Sequence, residues 1–325
     1  MMNFITINII DIAAAVIIDL FLGDPYWLPH PVIFIGRLIK FIENKARAAA
    51  HNDKQLKYLG GAMVIIVTSV CFLSTAAVLY AVWRIKPLFH IINICILWTT
   101  IAARCLRDES MKVYYALRNN DLILARKYTS YIVGRDTNGL DEKELIRASV
   151  ETVAENTSDG IIAPLFYSLI GGAPLAMMYK GINTMDSMVG YLNEPYTHIG
   201  FFPAKTDDWF NFIPARITGI IMCIASPLMK SSIIRSFKIM MRDRKNHKSP
   251  NCAYPEAAAA AILKVQLGGN NIYFGKLVEK PTIGDKTREL EREDIVYVNK
   301  IMFLTEFLFV VFALALVYFI QGRII

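Results

Sequence analysis

The sequence predicts an all-α, multi-pass membrane protein with about four to six membrane helices, some of them broken or re-entrant. Three observations carry this. Hydrophobic residues make up 54% of the 325-residue chain, above the roughly 45–50% of soluble domains, and mean hydropathy is +0.38. The excess is gathered into long runs that approach the ~20 residues needed to cross a bilayer. Polar stretches rich in Lys and Arg alternate with those runs. Length alone allows two or three soluble domains; the membrane reading instead makes 1–325 a single integral membrane unit, with polar cytoplasmic segments at 104–160 and 230–300.

The elements follow in order. Residues 7–22 form an apolar run broken by Asp11 and Asp19. The run lacks the basic start and small-residue cleavage site of a signal peptide, so it reads as a membrane helix ending at Gly23-Asp24-Pro25. The next stretch carries three prolines, Tyr26, Trp27 and His30, and fits an interfacial loop followed by a short amphipathic helix over 33–46 lying on the headgroups. Residues 60–83 and 88–103 are two further spans joined by a tight hairpin at 84–87. From 104 to 148 the pattern is polar and helical, with Asn119-Asn120-Asp121 as a turn and cap, Asn138-Gly139 as a turn, and a helix opening near 140–142. Residues 161–178 are apolar but hold Pro164, Gly171, Gly172 and Pro174, a poor continuous span and a good broken one. Residues 192–212 read as an aromatic loop. Residues 213–229 are apolar again, with Arg216 inside; an arginine at that depth should face protein or a cavity. A basic block follows, then an alanine-rich helix stopped by Gly268-Gly269, a polar loop-and-helix stretch over 270–300, and a last span over 301–320.

Charge fixes a topology. With six apolar segments crossing, loops 23–59, 104–160 and 230–300 hold 29 of the 35 Lys and Arg, which places them on the cytoplasmic side and both termini outside. Strict alternation puts 183–191 outside; if 161–178 and 213–229 dip rather than cross, both polar clusters described next share the cytoplasmic face, and that arrangement is preferred. The net charge of +7 belongs to anionic lipid surfaces rather than nucleic acid, since no basic helix interleaved with aromatics occurs. The five cysteines are odd in number, form no C-x-x-C pair, and read as apolar filler.

Two dense polar clusters flank the broken segment. Glu151, Glu155 and Asp159 are spaced four apart and share one face of a helix. Three like charges at that spacing repel, and a bound cation such as Mg²⁺ offsets the repulsion; an acidic, solvated face is the competing reading. Asn156 and Ser158 accompany them. Lys180, Asn183, Thr184, Asp186 and Ser187 form the second cluster, with helix capping as its plain alternative. Arg135 is open to either phosphate binding or a structural pair, and His30 to either substrate contact or inertness. No phosphate-loop motif, G-x-G-x-x-G, H-E-x-x-H or G-x-S-x-G is present, so any nucleotide is held without a standard phosphate loop.

The runs DLFLGDPYWLPHPVIFIGRLI, GRDTNGLDEKELIRASVETVAENTSDGIIAPLFYSLIGG, YKGINTMDSMVGY, IPARITG, SPNCAYPEAAAAAILKVQLGG and KPTIG succeed one another from about residue 19 to residue 284. Together they resemble the adenosylcobinamide-phosphate synthase family of cobalamin biosynthesis. The resemblance implies a multi-pass enzyme of the cell membrane, a carbon–nitrogen ligase. It would join (R)-1-amino-2-propanol or its O-phosphate to a propionate carboxylate of the corrinoid adenosylcobyric acid, using ATP and Mg²⁺. On that footing Glu151, Glu155, Asp159 and Asp186 are expected to hold Mg²⁺, with Glu155, Asp159, Asp186 and Lys180 catalytic. Lys180, Arg135 and Arg216 are expected to meet phosphate or propionate, Asn156 and Asn183 to orient substrate, and Asp24 and His30 to meet the amine or corrinoid amides. The rival class is a membrane transporter or binding protein for a corrinoid or other anion, which the broken helices suit; it predicts an internal repeat, and the two halves show none.

Overall fold

The computed structural model describes residues 2–25, 27, 29–134, 136–191, 193–269, 271–273, 276–278 and 281–322. In chain order the helices are α1 (Met2–Leu22), α2 (Pro31–Ala49), α3 (Asp53–Val82), α4 (Lys86–Trp98), α5 (Ala103–Arg118), α6 (Leu122–Ile132), α7 (Glu142–Thr157), α8 (Ala163–Val189), α9 (Phe201–Phe210), α10 (Phe212–Ala225), α11 (Ile233–Asp243), α12 (Ala253–Leu263) and α13 (Glu293–Gly322). A π-turn (Ser158–Ile162) joins α7 to α8. Among the described residues, the strands form two small antiparallel pairs: β1 (Leu267–Gly268) with β4 (Thr282–Ile283), and β2 (Asn271–Tyr273) with β3 (Lys276–Val278).

Local sequence sets the boundaries. Asn52, Asp121 and Ser232 each cap a helix by accepting a backbone N–H of its first turn. Asp141 and Glu144 form a reciprocal capping box at the head of α7. Pro31 and Pro87 sit in the first turns of α2 and α4, where a missing N–H costs nothing. Gly171 and Gly172 leave helical geometry, Gly172 at φ 68°, and Pro174 follows, so the expected break in the apolar segment falls there.

Among the described residues, five helical stretches are long and apolar enough to cross a membrane: Asp53–Val82, Lys86–Arg118, Glu142–Val189, Phe212–Met229 and Glu293–Phe319. The chain is a multi-pass protein of the cell membrane with a mainly helical fold. Two expectations need correction. Residues 192–212 are not loop throughout, because Phe201–Phe210 forms α9; its aromatic content pointed to an interfacial loop. The 270–300 stretch contains strand pairs, too short to leave a periodic signal.

The chain divides into two compact units. The first comprises Met1–Ala102, Ala163–Asn211 and Ala313–Ile325. Its core gathers Ile35 and Ile39 of α2, Met63 and Val67 of α3, and Met177, Ile182 and Met185 of α8. Bilayer helices gain little from hydrophobic transfer against each other, so small residues matter at their contacts. A Cβ on Gly60 would stand 2.2 Å from the Ile199 carbonyl oxygen, and one on Gly181 2.8 Å from Cys71 Sγ.

The second unit comprises Ala103–Ile162 and Phe212–Phe312, and so contains both polar segments read at 104–160 and 230–300. Its centre is α12, whose run Ala257–Ala261 is wholly buried, packed against α7, α10 and α11.

Candidate active site

In the first unit, the α1–α2 connection and α8 bring Asp24, His30 and Lys180 into one polar cluster. Trp98 Nε1 donates to the Gly23 carbonyl at 3.0 Å, pinning the connection. His30 is the N-cap of α2: its Nδ1 accepts the Val32 N–H at 3.2 Å. The uncharged imidazole therefore carries its proton on Nε2, which lies 3.7 Å from Asp24 Oδ1. Lys180 Nζ donates to the Thr100 carbonyl at 3.2 Å. Burial pushes the Asp24 carboxyl above its usual 3.8, with the His30 and Lys180 charges pulling the other way. Burial pushes His30 below 6.5, aided by Lys180 and opposed by Asp24 and the Thr99 backbone. A half-buried carboxyl, an imidazole and a lysine amine thus stand together.

The second cluster predicted from sequence lies on α8 itself rather than capping a following helix. Thr184 and Ser187 hydroxyls bond back to the carbonyls of Lys180 and Asn183, at 2.7 and 2.9 Å. Asn183 and Asp186 are half-buried. The helix ends as Gly190 N–H donates to the Asp186 carbonyl at 2.8 Å. A Cβ at Gly190 would meet Asp186 Oδ1 at 2.0 Å, so the carboxylate lies over this glycine. Below it, fully buried Tyr179 donates to Asn211 Oδ1 at 2.7 Å, and Asn211 donates to Asp207 at 2.9 Å.

In the second unit, α7 presents Glu151 and Glu155 on one face. Glu151 accepts the Gly268 N–H at 2.8 Å, with Arg147 Nε at 3.9 Å. Glu155 Oε1 accepts the Cys252 thiol at 2.8 Å. The Cys252 thiol is pushed far above its usual range by burial, then by the charges of Glu155, Asp159 and Glu256 and the bond to Glu155. Glu155, Asp159, Glu256 and Cys252 thus share one neighbourhood. Asp159 sits in the π-turn, a geometry frequent at functional sites. Asn156 donates to the Thr152 carbonyl at 2.9 Å within its own helix. Arg216 stacks 4.5 Å above Tyr254 and donates to Asn251 Oδ1 at 3.2 Å, so it faces protein as expected. Arg135 lies outside the described residues.

A model of the family described as CobD/Cbib protein matches residues 12–302. The chain is 58% identical over 311 residues to a cobalamin biosynthesis protein CobD of Clostridium acetobutylicum, covering 96% of this chain and 99% of that one. It is 55% identical over 307 residues to the CobD of Clostridium tetani, covering 94% and 96%. It is 45% identical over 308 residues to a cobalamin biosynthesis protein CbiB of Salmonella typhi, covering 94% and 95%. The chain belongs to the CobD/CbiB family. No solved structure matches it.

For this CobD/CbiB chain, the fit of a divalent cation follows from the donors. Among the described residues, no group of three or more His, Cys, Asp or Glu is placed to hold a metal ion. Of the four carboxylates expected at Mg²⁺, Asp186 belongs to the first unit and the other three to the second. Mg²⁺ keeps several waters and takes only one or two carboxylates plus substrate phosphates, so two neighbouring carboxylates such as Glu155 and Asp159 would be enough to hold it. Sequence reasoning missed Glu256, which is 4% exposed in the first turn of α12. The signal was a lone acid ahead of five alanines, where burial of the whole helix turns a solvated charge into a costly one.

Proposed function

We propose that this chain is an ATP-dependent amide ligase. It joins (R)-1-amino-2-propanol or its O-phosphate to a propionate carboxylate of adenosylcobyric acid, giving adenosylcobinamide or its phosphate. Membership of the CobD/CbiB family across residues 12–302 carries this reading, because relatives of similar length are named cobalamin biosynthesis proteins. A carboxylate is a poor acyl donor. Its oxygen attacks the γ-phosphorus of ATP, ADP departs, and an acyl phosphate forms. The amine nitrogen then attacks the carbonyl carbon, the carbon–oxygen bond to phosphate breaks, and the nitrogen gives up a proton.

The residues take roles within their own units. Asp24, whose carboxyl is raised by burial, accepts the amine proton. His30 is a positioning residue: with Nδ1 tied to the α2 backbone, it aims Nε2–H at Asp24. Lys180 meets the phosphate or propionate anion. Asn183 orients substrate amides, and Asp186 serves as the second carboxylate of this unit. In the second unit, Glu155 and Asp159 would hold Mg²⁺, which when bound neutralises phosphate charge. Glu151 is given to fixing the Gly268 backbone. Asn156 reaches substrate through its carbonyl oxygen, since its amide group serves the helix.

The test is turnover by purified full-length protein in detergent, with adenosylcobyric acid, ATP, Mg²⁺ and each amine in parallel, read by mass spectrometry. An amide product with one amine supports the ligase and names its substrate. Corrinoid binding without product favours the second reading, a transporter. The observation behind that alternative is the Gly171–Gly172 break, which lines a cavity of about 370 Å³ with Asn93, Trp83 and Pro174.

A further inference from the structure

A cavity of about 190 Å³ in the second unit lies at the head of α7 and against the segment leading into α13, lined by Lys143, Arg147, Gln266, Lys286 and Arg288 together with Asp141, Glu144 and Glu289. Four cations face three acids there, and the acids differ in their duties. Asp141 and Glu144 are committed to the capping box, each accepting the other's backbone N–H at 2.8 and 2.9 Å. Glu289 alone is shared between cations: Lys286 Nζ meets Oε1 at 2.7 Å and Lys143 Nζ meets Oε2 at 3.1 Å. Two ammoniums, each on one oxygen of the same anion, with the Arg147 guanidinium lining the same cavity, is an arrangement that suits phosphate oxygens; the Arg288 guanidinium is given to the buried Asp294. Exposed ion pairs are weak, and the Lys143 and Glu289 side chains are 64% and 54% exposed, so exchange of Glu289 for another anion is cheap.

We propose that this cavity binds the phosphate chain of a nucleotide, with Glu289 occupying the anion position in its absence. Arg147 anchors the inner end, at 19% side-chain exposure. It lies one helical turn before Glu151 and two before Glu155, on the same face of α7. The cavity also stands at the ends of two crossing-competent stretches, Glu142–Val189 and Glu293–Phe319, so a phospholipid headgroup offers the same phosphate-ester chemistry. The choice of nucleotide rests on the ATP-dependent reading above; the anion site itself does not.

The experiment is titration calorimetry on full-length protein in detergent with ATP and, separately, inorganic triphosphate. A parallel arm measures binding to nanodiscs of phosphatidylglycerol against phosphatidylcholine. Removing two charge-assisted contacts in K143A/K286A weakens triphosphate binding by roughly tenfold or more. E289Q, which removes the internal competitor, tightens it by roughly fivefold, a gain that a merely structural Glu289 does not produce. Failure of triphosphate to bind overturns the site, as does K143A/K286A without effect or E289Q without gain. Selective binding to phosphatidylglycerol with none to ATP overturns the nucleotide assignment. Normal triphosphate binding without amide product sinks the ligase reading and leaves the site standing. Amide product with an ATP KM unmoved in K143A/K286A does the reverse.

Discussion

Gly190→Ala probes Asp186 without altering its chemistry. The backbone at Gly190 is not left-handed, so its dihedral angles do not forbid alanine. Its Cβ, however, would lie 2.0 Å from Asp186 Oδ1 and 2.7 Å from the Asp186 carbonyl oxygen, where ordinary contact begins near 3.4 Å. The carboxylate must therefore retreat by about 1.4 Å, the difference between those two distances. A displacement of about 1 Å at a reacting group costs on the order of 100-fold in rate. G190A should lower kcat for amide formation by at least that factor, with a smaller change in corrinoid affinity. Initial rates by mass spectrometry measure the first, and equilibrium titration of the corrinoid the second. Size-exclusion profile and thermal midpoint separate misplacement from misfolding, and D186N supplies the chemical comparison. If G190A and D186N are both folded and fully active, Asp186 has no part in the reaction.

Three further outcomes are expected. E155Q or D159N should reduce kcat by about 100-fold or more and raise the Mg²⁺ concentration needed for half-maximal rate, as loss of a metal ligand or its charge does; an unchanged Mg²⁺ dependence contradicts their assignment. In K180M, the cation that opposes burial at Asp24 is gone, so the Asp24 carboxyl rises further; the acid limb of the kcat/KM profile should move to higher pH, and a stationary limb removes Asp24 as the base. Asp243 is 4% exposed; burial tends to raise its carboxyl, but bonds from Arg242 and the Gly284 N–H at 2.8 Å, with the Arg242 charge, hold it below 3.8. Its contribution is present above pH 3.8 and is lost as pH falls through the lowered folded value, so D243N should lower the thermal midpoint by about 5 °C at pH 7, with the gap closing in acid; an equal gap at every pH refutes the linkage.

Legibility from sequence followed the strength of the local signal. The apolar runs that became α3, α4 and α13 were readable because composition over twenty residues outweighs any single residue. The caps at Asp121 and Asp141 were readable because Ser, Thr, Asp and Asn satisfy first-turn N–H groups. The break in α8 followed from Gly171-Gly172 ahead of Pro174. What stayed hidden depends on partners far along the chain. Glu151 accepts the Gly268 N–H, 117 residues away, a contact that its spacing on the helix does not reveal. His30 looked like a free imidazole between prolines, yet one nitrogen is used as a helix cap. The π-turn at Ser158–Ile162, which holds Asp159, is a feature that no periodicity count registers.

Cys252 shows how those hidden contacts bear on the chemistry. A thiol acts as nucleophile or redox group through its thiolate. Here burial, three carboxylate charges and its own bond to Glu155 all oppose ionisation, so Cys252 stays protonated and donates. Its donation to Oε1 fixes one oxygen of Glu155 and leaves the second carboxylate oxygen with its acceptor capacity. The buried Glu256 adds a third negative charge to a neighbourhood that already holds Glu155 and Asp159. Glu256 is withdrawn from water, while Glu155 and Asp159 are half-buried, and like charges this close together repel. A cation held by Glu155 and Asp159, as proposed above, would offset that repulsion. On that proposal Glu256 adds its charge beside Glu155 and Asp159.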